Sequence, residues 1–181
     1  YGFGSTNLYI AKFNLATKTI SAEITITDSK GYNHIEHQYF STGEILFTNY
    51  TNAFSPVLFV FDPLTWSVKN TLKLTVDLPI FATNNIDILA YPNVFRVKVL
   101  SNDYIAVAAP HNSTSTTALN GMTLGIFDKT LKNIRRKDYW ESFSTTAGSW
   151  KQVTIVEDIV NDVVNFSLMS SYYSRPFNVY I

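Results

Sequence analysis

The chain has 181 residues, a formal net charge of zero and no cysteine. Those facts exclude a disulfide framework, a Cys-ligated zinc and a thiol nucleophile, and a broad cationic footprint for nucleic acid or an anionic membrane surface. Hydrophobic residues make up 46% and charged residues only 15%, against the ~25% charge usual in globular domains, so a sizeable core sits under a surface of Thr, Ser and Asn.

No apolar run approaches the ~20 residues of a membrane-spanning helix. The neutral polar surface and the 15% aromatics point to an extracellular or cell-surface location. In chain order, the first signal is Phe13-Asn14-Leu15-Ala16-Thr17, a turn between two apolar runs. Ile20, Ala22, Ile24 and Ile26 then alternate with Ser21, Glu23, Thr25 and Thr27, the period of a half-buried strand. His34, Glu36 and His37 form the densest group of potential metal ligands. Positions three apart on a strand face opposite ways, so His34 and His37, with His111 further on, read either as weak metal candidates or as surface histidines. Gly43-Glu44 marks a tight turn, and Asn49-Tyr50-Thr51 is a glycosylation sequon.

The turn recurs at Phe61-Asp62-Pro63-Leu64-Thr65. Leu72, Leu74, Val76 and Leu78 alternate with Lys73, Thr75 and Asp77. From Val94 to Ala109 the pattern is strand, Ser101-Asn102-Asp103 turn, strand, and the residues from Tyr104 to Ala109 are apolar on both faces, as in an inner strand covered on both sides. Asn112-Ser113-Thr114 is a second sequon on a Ser/Thr-rich loop. Phe127-Asp128-Lys129-Thr130-Leu131 repeats the turn again. Lys129, Lys132, Arg135, Arg136 and Lys137 flank it, where charges would block edge-to-edge strand pairing. Tyr139, Trp140, Trp150, Tyr172 and Tyr173 fall in loops or at strand ends, which suits recognition of protein or glycan or packing between repeats. Val153, Val156, Val160 and Val163 also fit a helical face, but the valine density favours strands. Asn165-Phe166-Ser167 is the third sequon.

These signals compose one repeat unit: strand, tight turn, strand, variable loop, strand, Phe-Asp turn, strand. In each Phe-Asp turn, Asn14, Asp62 or Asp128 would accept backbone N–H groups two residues on, and the Phe would anchor the hairpin in the core. The tight-turn markers Gly43-Glu44, Asn102-Asp103 and Asn161-Asp162 recur at equal intervals. Approximate repeats are 1–30, 31–90, 91–150 and 151–181, the first and last partial. Asn7-Leu8-Tyr9-Ile10 matches Asn178-Val179-Tyr180-Ile181, which reads as a segment cut from a longer array, with residues 1–181 as a single repeat domain.

Four-stranded units on this period resemble β-propeller blades, and the Phe-Asp-x-x-Thr hairpin is similar to the outer-strand turn of quinoprotein-like and YVTN-type blades. The resemblance implies about three four-stranded blades, part of a larger ring completed by a second copy or by the remaining blades of a parent protein. A β-sandwich of short strands is the alternative fold. No cofactor is expected. The functional expectation is a non-catalytic interaction or structural module binding protein or glycan through its aromatic loops. A propeller-type hydrolase acting on glycans or lactones, and a filament, coat or virion component, are the alternatives.

Overall fold

A computed structural model describes residues 2–3, 7–27, 34–50, 57–74, 95–111, 121–140, 150–170 and 174–180. The protein is all-β. Its strands are β1 (Gly2–Phe3), β2 (Asn7–Asn14), β3 (Thr19–Thr27), β4 (His34–Tyr39), β5 (Ile45–Tyr50), β6 (Val57–Asp62), β7 (Ser67–Lys73), β8 (Arg96–Val99), β9 (Ile105–His111), β10 (Gly121–Phe127), β11 (Asn133–Trp140), β12 (Trp150–Asp158), β13 (Val163–Ser170) and β14 (Ser174–Tyr180). They form four antiparallel meanders in chain order: β1-β2-β3, β4-β5-β6-β7, β8-β9-β10-β11 and β12-β13-β14, here sheets 1 to 4. Among the described residues two sheets have four strands and two have three, where the sequence predicts about three four-stranded units. Among the described residues the strands form four separate open sheets rather than the two of a sandwich. The valine-rich stretch from Val153 to Val163 is strand, turn, strand. Among the described residues, no helix is long and apolar enough to cross a membrane.

Side chains alternate on each strand, so an inner sheet can bury both faces. Three apolar layers result. Leu8, Ile10, Ile24 and Ile26 of sheet 1 meet Ile35, Phe47, Phe59 and Phe61 of sheet 2. The other face of sheet 2, with Phe40, Leu46, Leu58 and Val60, meets Val97, Ile105, Val107 and Phe127 of sheet 3. The far face of sheet 3, with Ala106, Ala108, Met122, Leu124 and Ile126, meets Val153, Val164, Phe166 and Leu168 of sheet 4. From Ile105 to Ala109 every residue is buried, so β9 is the doubly covered strand its composition predicts. Leu72 and Leu74 are buried. Val76 and Leu78 lie outside the described residues.

The Phe-Asp turns share a detailed construction. Asn14 Oδ1 accepts from the N–H groups of Ala16 (2.9 Å) and Thr17 (3.1 Å). Asp62 Oδ1 accepts from Leu64 N–H (2.8 Å), and Asp128 Oδ1 from Thr130 N–H (2.8 Å). A left-handed residue then closes each turn: Lys18 (φ 57°), Trp66 (φ 54°) and Leu131 (φ 65°). In every case the ladder slips by one residue just before the Phe, between Lys12 and Phe13, Val60 and Phe61, and Ile126 and Phe127. Such a bulge adds local twist, and its recurrence ties the three hairpins to one design.

Two expectations need correction. Phe61 and Phe127 are buried anchors, each facing the preceding sheet, but Phe13 is 55% exposed. It occupies the face of sheet 1 turned away from sheet 2, where no described sheet covers it. Ile20 is exposed as well, because the bulge leaves Ser21 unpaired and interrupts the alternation that carries Ile24 and Ile26 into the core. The tight-turn markers are also out of register at the first copy. The left-handed residues are Gly43 (φ 88°), Asp103 (φ 64°) and Asp162 (φ 53°), so Gly43 matches Asp103 rather than Asn102. At Asp162 the turn is of the Asx type, with Asp158 Oδ1 accepting from Asn161 N–H at 3.2 Å.

Candidate functional site

The meander order sorts the connections of sheets 2 to 4 onto two rims. One rim carries the short turns 40–44, 63–66, 100–104, 128–132 and 159–162. The strand ends at the opposite rim flank 51–56, 75–94, 112–120, 141–149 and 171–173. The short-turn rim is fastened between sheets. Ser41 donates its N–H (2.7 Å) and its hydroxyl (2.5 Å) to the Asp103 carboxylate of the next sheet. Ser101, at the matching turn position, donates its N–H (2.9 Å) and its hydroxyl (2.6 Å) to Glu157 Oε1 of the sheet after that. Lys129 of sheet 3 pairs with Glu44 of sheet 2 at 3.1 Å, and Lys69 pairs with both Glu44 (3.3 Å) and Asp62 (2.8 Å).

These partners shift the carboxylates. The Lys69 ammonium, then the Leu64 N–H, holds Asp62 far below the usual carboxylate range. The Thr42 hydroxyl lowers Glu44, with Lys129 and Lys69 adding to it against a partial burial that opposes it. Asp158 is lowered chiefly by the Asn161 amide. At Asp128 burial pushes up, and the Thr130 hydroxyl with the N–H groups of Lys132 and Thr130 more than offsets it. A carboxyl that binds protons less tightly folded than unfolded stabilises the fold above its unfolded pKa and loses that contribution as pH falls. Unfolding free energy should therefore hold steady from neutral pH to about the ordinary Glu value of 4.5 and decline below it. Asp62→Asn should flatten that decline. Urea midpoints measured from pH 7 to pH 2 check this, and parallel curves for the two proteins would remove Asp62 from the account.

The opposite rim carries strand ends that bear five of the residues singled out from sequence. His111, Gly121 and Trp140 stand in one row across the end of sheet 3. Tyr139 and Trp140 close β11 and Trp150 opens β12, so the aromatics bracket 141–149. His34 opens β4 at the same rim. The side chains of His34, His111, Tyr139, Trp140 and Trp150, and the whole of Asn112, Tyr172 and Tyr173, lie outside the described residues. His37 is exposed in mid-strand, edge-on to the Tyr39 ring at 5.6 Å. Among the described residues no three His, Asp or Glu side chains gather as a metal site would require.

The sequons divide by burial. Asn49 is fully buried in β5, hydrogen-bonded on both sides, so a glycan on it is incompatible with the folded sheet. Asn165 is half-buried in β13, the central strand of sheet 4.

A third feature lies on the first strands of sheets 2 to 4, each at the edge of its sheet. β4 lies beside β8, and β8 beside β12. Between β4 and β8, Gln38 closes the gap, its Nε2 donating to Val97 O (2.7 Å) and its Oε1 accepting from Val99 N–H (2.8 Å). Between β8 and β12 there is instead a cleft of ≈ 250 Å³ lined by Arg96, Val97, Lys98, Val153, Thr154 and Ile155. Neither the serine clasps nor this cleft is foreseen from sequence. The Ser at the head of both tight turns, Ser41 and Ser101, was the available signal for the clasps. The cleft has none, since it depends on which strands become neighbours.

Comparison with family models, with curated proteins and with solved structures gives no match.

Proposed function

We propose that this chain is a propeller-like interaction module, non-catalytic and working outside the cell or on its surface, that takes protein or glycan ligands at the long-connection rim. The observation that carries the reading is the division of the two rims. Short turns stitched sheet to sheet make a rigid base. The strand ends that carry Trp140 and Trp150 lie on the other side. Variable loops displayed on a rigid scaffold are the usual place for binding, and aromatic rings are the usual sugar- and protein-contacting groups. Sheets stacked face to face in chain order, with edge strands β4, β8 and β12 side by side, are also what propeller blades require. Further blades, or a second copy, would cover the outer face of sheet 1 at Phe13. Asn112, in a Ser/Thr-rich stretch of the sequence, is the sequon best placed for a glycan.

Tryptophan emission tests the rim. The chain has three tryptophans, and Trp66 packs edge-on against Phe61 at 5.1 Å on the short-turn side. Titration of a Trp66→Phe protein with chitohexaose, cellohexaose and xylohexaose should give a saturable change with at least one. Trp140→Ala with Trp150→Ala should abolish binding of that sugar without moving the melting temperature. Silence with all three sugars would remove the glycan half of the reading, and undiminished binding by the double variant would remove the rim.

A further inference from the structure

The edge strands β4, β8 and β12 meet by two different devices, and the difference assigns a second site. Phe40 and Leu100 hold matching positions in the turns of sheets 2 and 3, each N–H bonded to the carbonyl four residues on (3.0 and 2.8 Å). Counting back from them, Gln38 matches Lys98. Both turn towards the following sheet, as Phe40 and Leu100 do. Gln38 carries one donor and one acceptor, so it can satisfy both a carbonyl and an N–H on the open edge of β8, as a paired strand would. An ammonium has donors only. Lys98 therefore cannot repeat that zipper on β12, which among the described residues is the edge strand of sheet 4 and lies beside β8. The space stays open as the ≈ 250 Å³ cleft. Arg96, two residues before Lys98 on the same face of β8, adds a second cation to its lining, with its Nη1 also donating to Phe95 O at 3.3 Å.

We propose that the cleft between β8 and β12 binds the oxyanion group of a small organic acid or phosphate. Two cations from one strand supply charge-assisted donors, which favour carboxylate or phosphate oxygens over neutral groups. A guanidinium presents a planar fork to two oxygens, and the neighbouring ammonium acts as a point charge. The edge of β12 beside β8 offers main-chain N–H groups to the same anion. The volume is below the usual range for larger ligands, so the fit is to one anionic group with at most a sugar-sized body. This site is independent of the aromatic rim.

Amide-resolved NMR titrations with inorganic phosphate, sodium glucuronate and, as a neutral control, glucose test the proposal at about 0.15 M salt, where long-range attraction is screened. Saturable shifts confined to β8 and β12 are expected with at least one anion and absent with glucose; response to phosphate alone or to glucuronate alone identifies the source. Arg96→Gln and Lys98→Gln should each weaken binding about tenfold, the order expected for one charge-assisted contact. Arg96→Lys, which keeps the charge, should retain most of it. K98Q should in addition raise the melting temperature by about 2–4 °C, the shift that ~1 kcal/mol produces in a chain of this size, because it restores the Gln38-type zipper. Absence of saturable shifts with both anions, or unchanged anion binding in folded K98Q, would overturn the site.

Discussion

Phe61→Ala should lower unfolding free energy by about 3–5 kcal/mol, and Phe13→Ala by no more than about 0.5 kcal/mol. The two residues hold the same place in the repeat, immediately before an Asx turn and immediately after a ladder slip. Their surroundings differ. Phe61 is 1% exposed, with Phe47 at 6.4 Å and Trp66 at 5.1 Å around its ring. Removing it leaves a void among Phe47, Phe59 and Ile45 that the two-sheet layer cannot close. Phe13 lies on the outer face of sheet 1, so its ring forfeits little when it is removed. Urea unfolding followed by far-UV circular dichroism measures both. Equal losses that persist on dilution would contradict the stacking order, because dilution strips away any second copy that shields Phe13.

The same pair shows how far the fold was legible. Period-two alternation and turn chemistry are local, so the strands, the Asx turns at Asn14, Asp62 and Asp128, and the inner strand from Tyr104 to Ala109 could all be read from residue order. Burial of the hairpin Phe is not local. It depends on whether a sheet stands on the far side, and Phe13, Phe61 and Phe127 look alike until the sheets are placed. Register slips are equally silent in sequence: Ser21, Lys69 and Ile134 are a serine, a lysine and an isoleucine with nothing in common except that each is the extra residue of a bulge. Tyr139, Trp140 and Trp150 were visible by type, and the meander explains why β11 ends and β12 begins at one rim. The Lys98 cleft was not visible, because a lysine on a strand reads as an exposed charge until its counterpart, Gln38, is seen bridging two sheets.

Gly125→Val should cost about 1–3 kcal/mol or somewhat more, although valine is the better strand former. Gly125 lies on β10, two residues before Phe127 and on the same face. A Cβ built there would come within 2.7 Å of Phe127 Cε2 and 3.3 Å of Cζ. The Phe127 ring is folded back over the glycine and buried against sheet 2, so it cannot swing outward to make room. In sheet 2 the matching strand carries Phe59 beside Phe61, and there the Phe61 ring leans towards Trp66 instead. Leu131 stands at the corresponding turn of sheet 3, without a ring to receive Phe127. The glycine thus serves as the pocket floor for its own hairpin anchor. A double-mutant cycle tests this directly. Gly125→Ala should destabilise the protein even though it removes chain entropy worth roughly 0.5–1 kcal/mol from the unfolded state. Shortening the ring with Phe127→Leu should make the same alanine neutral or stabilising. Strict additivity of the two substitutions would show that the ring and the glycine do not share the space.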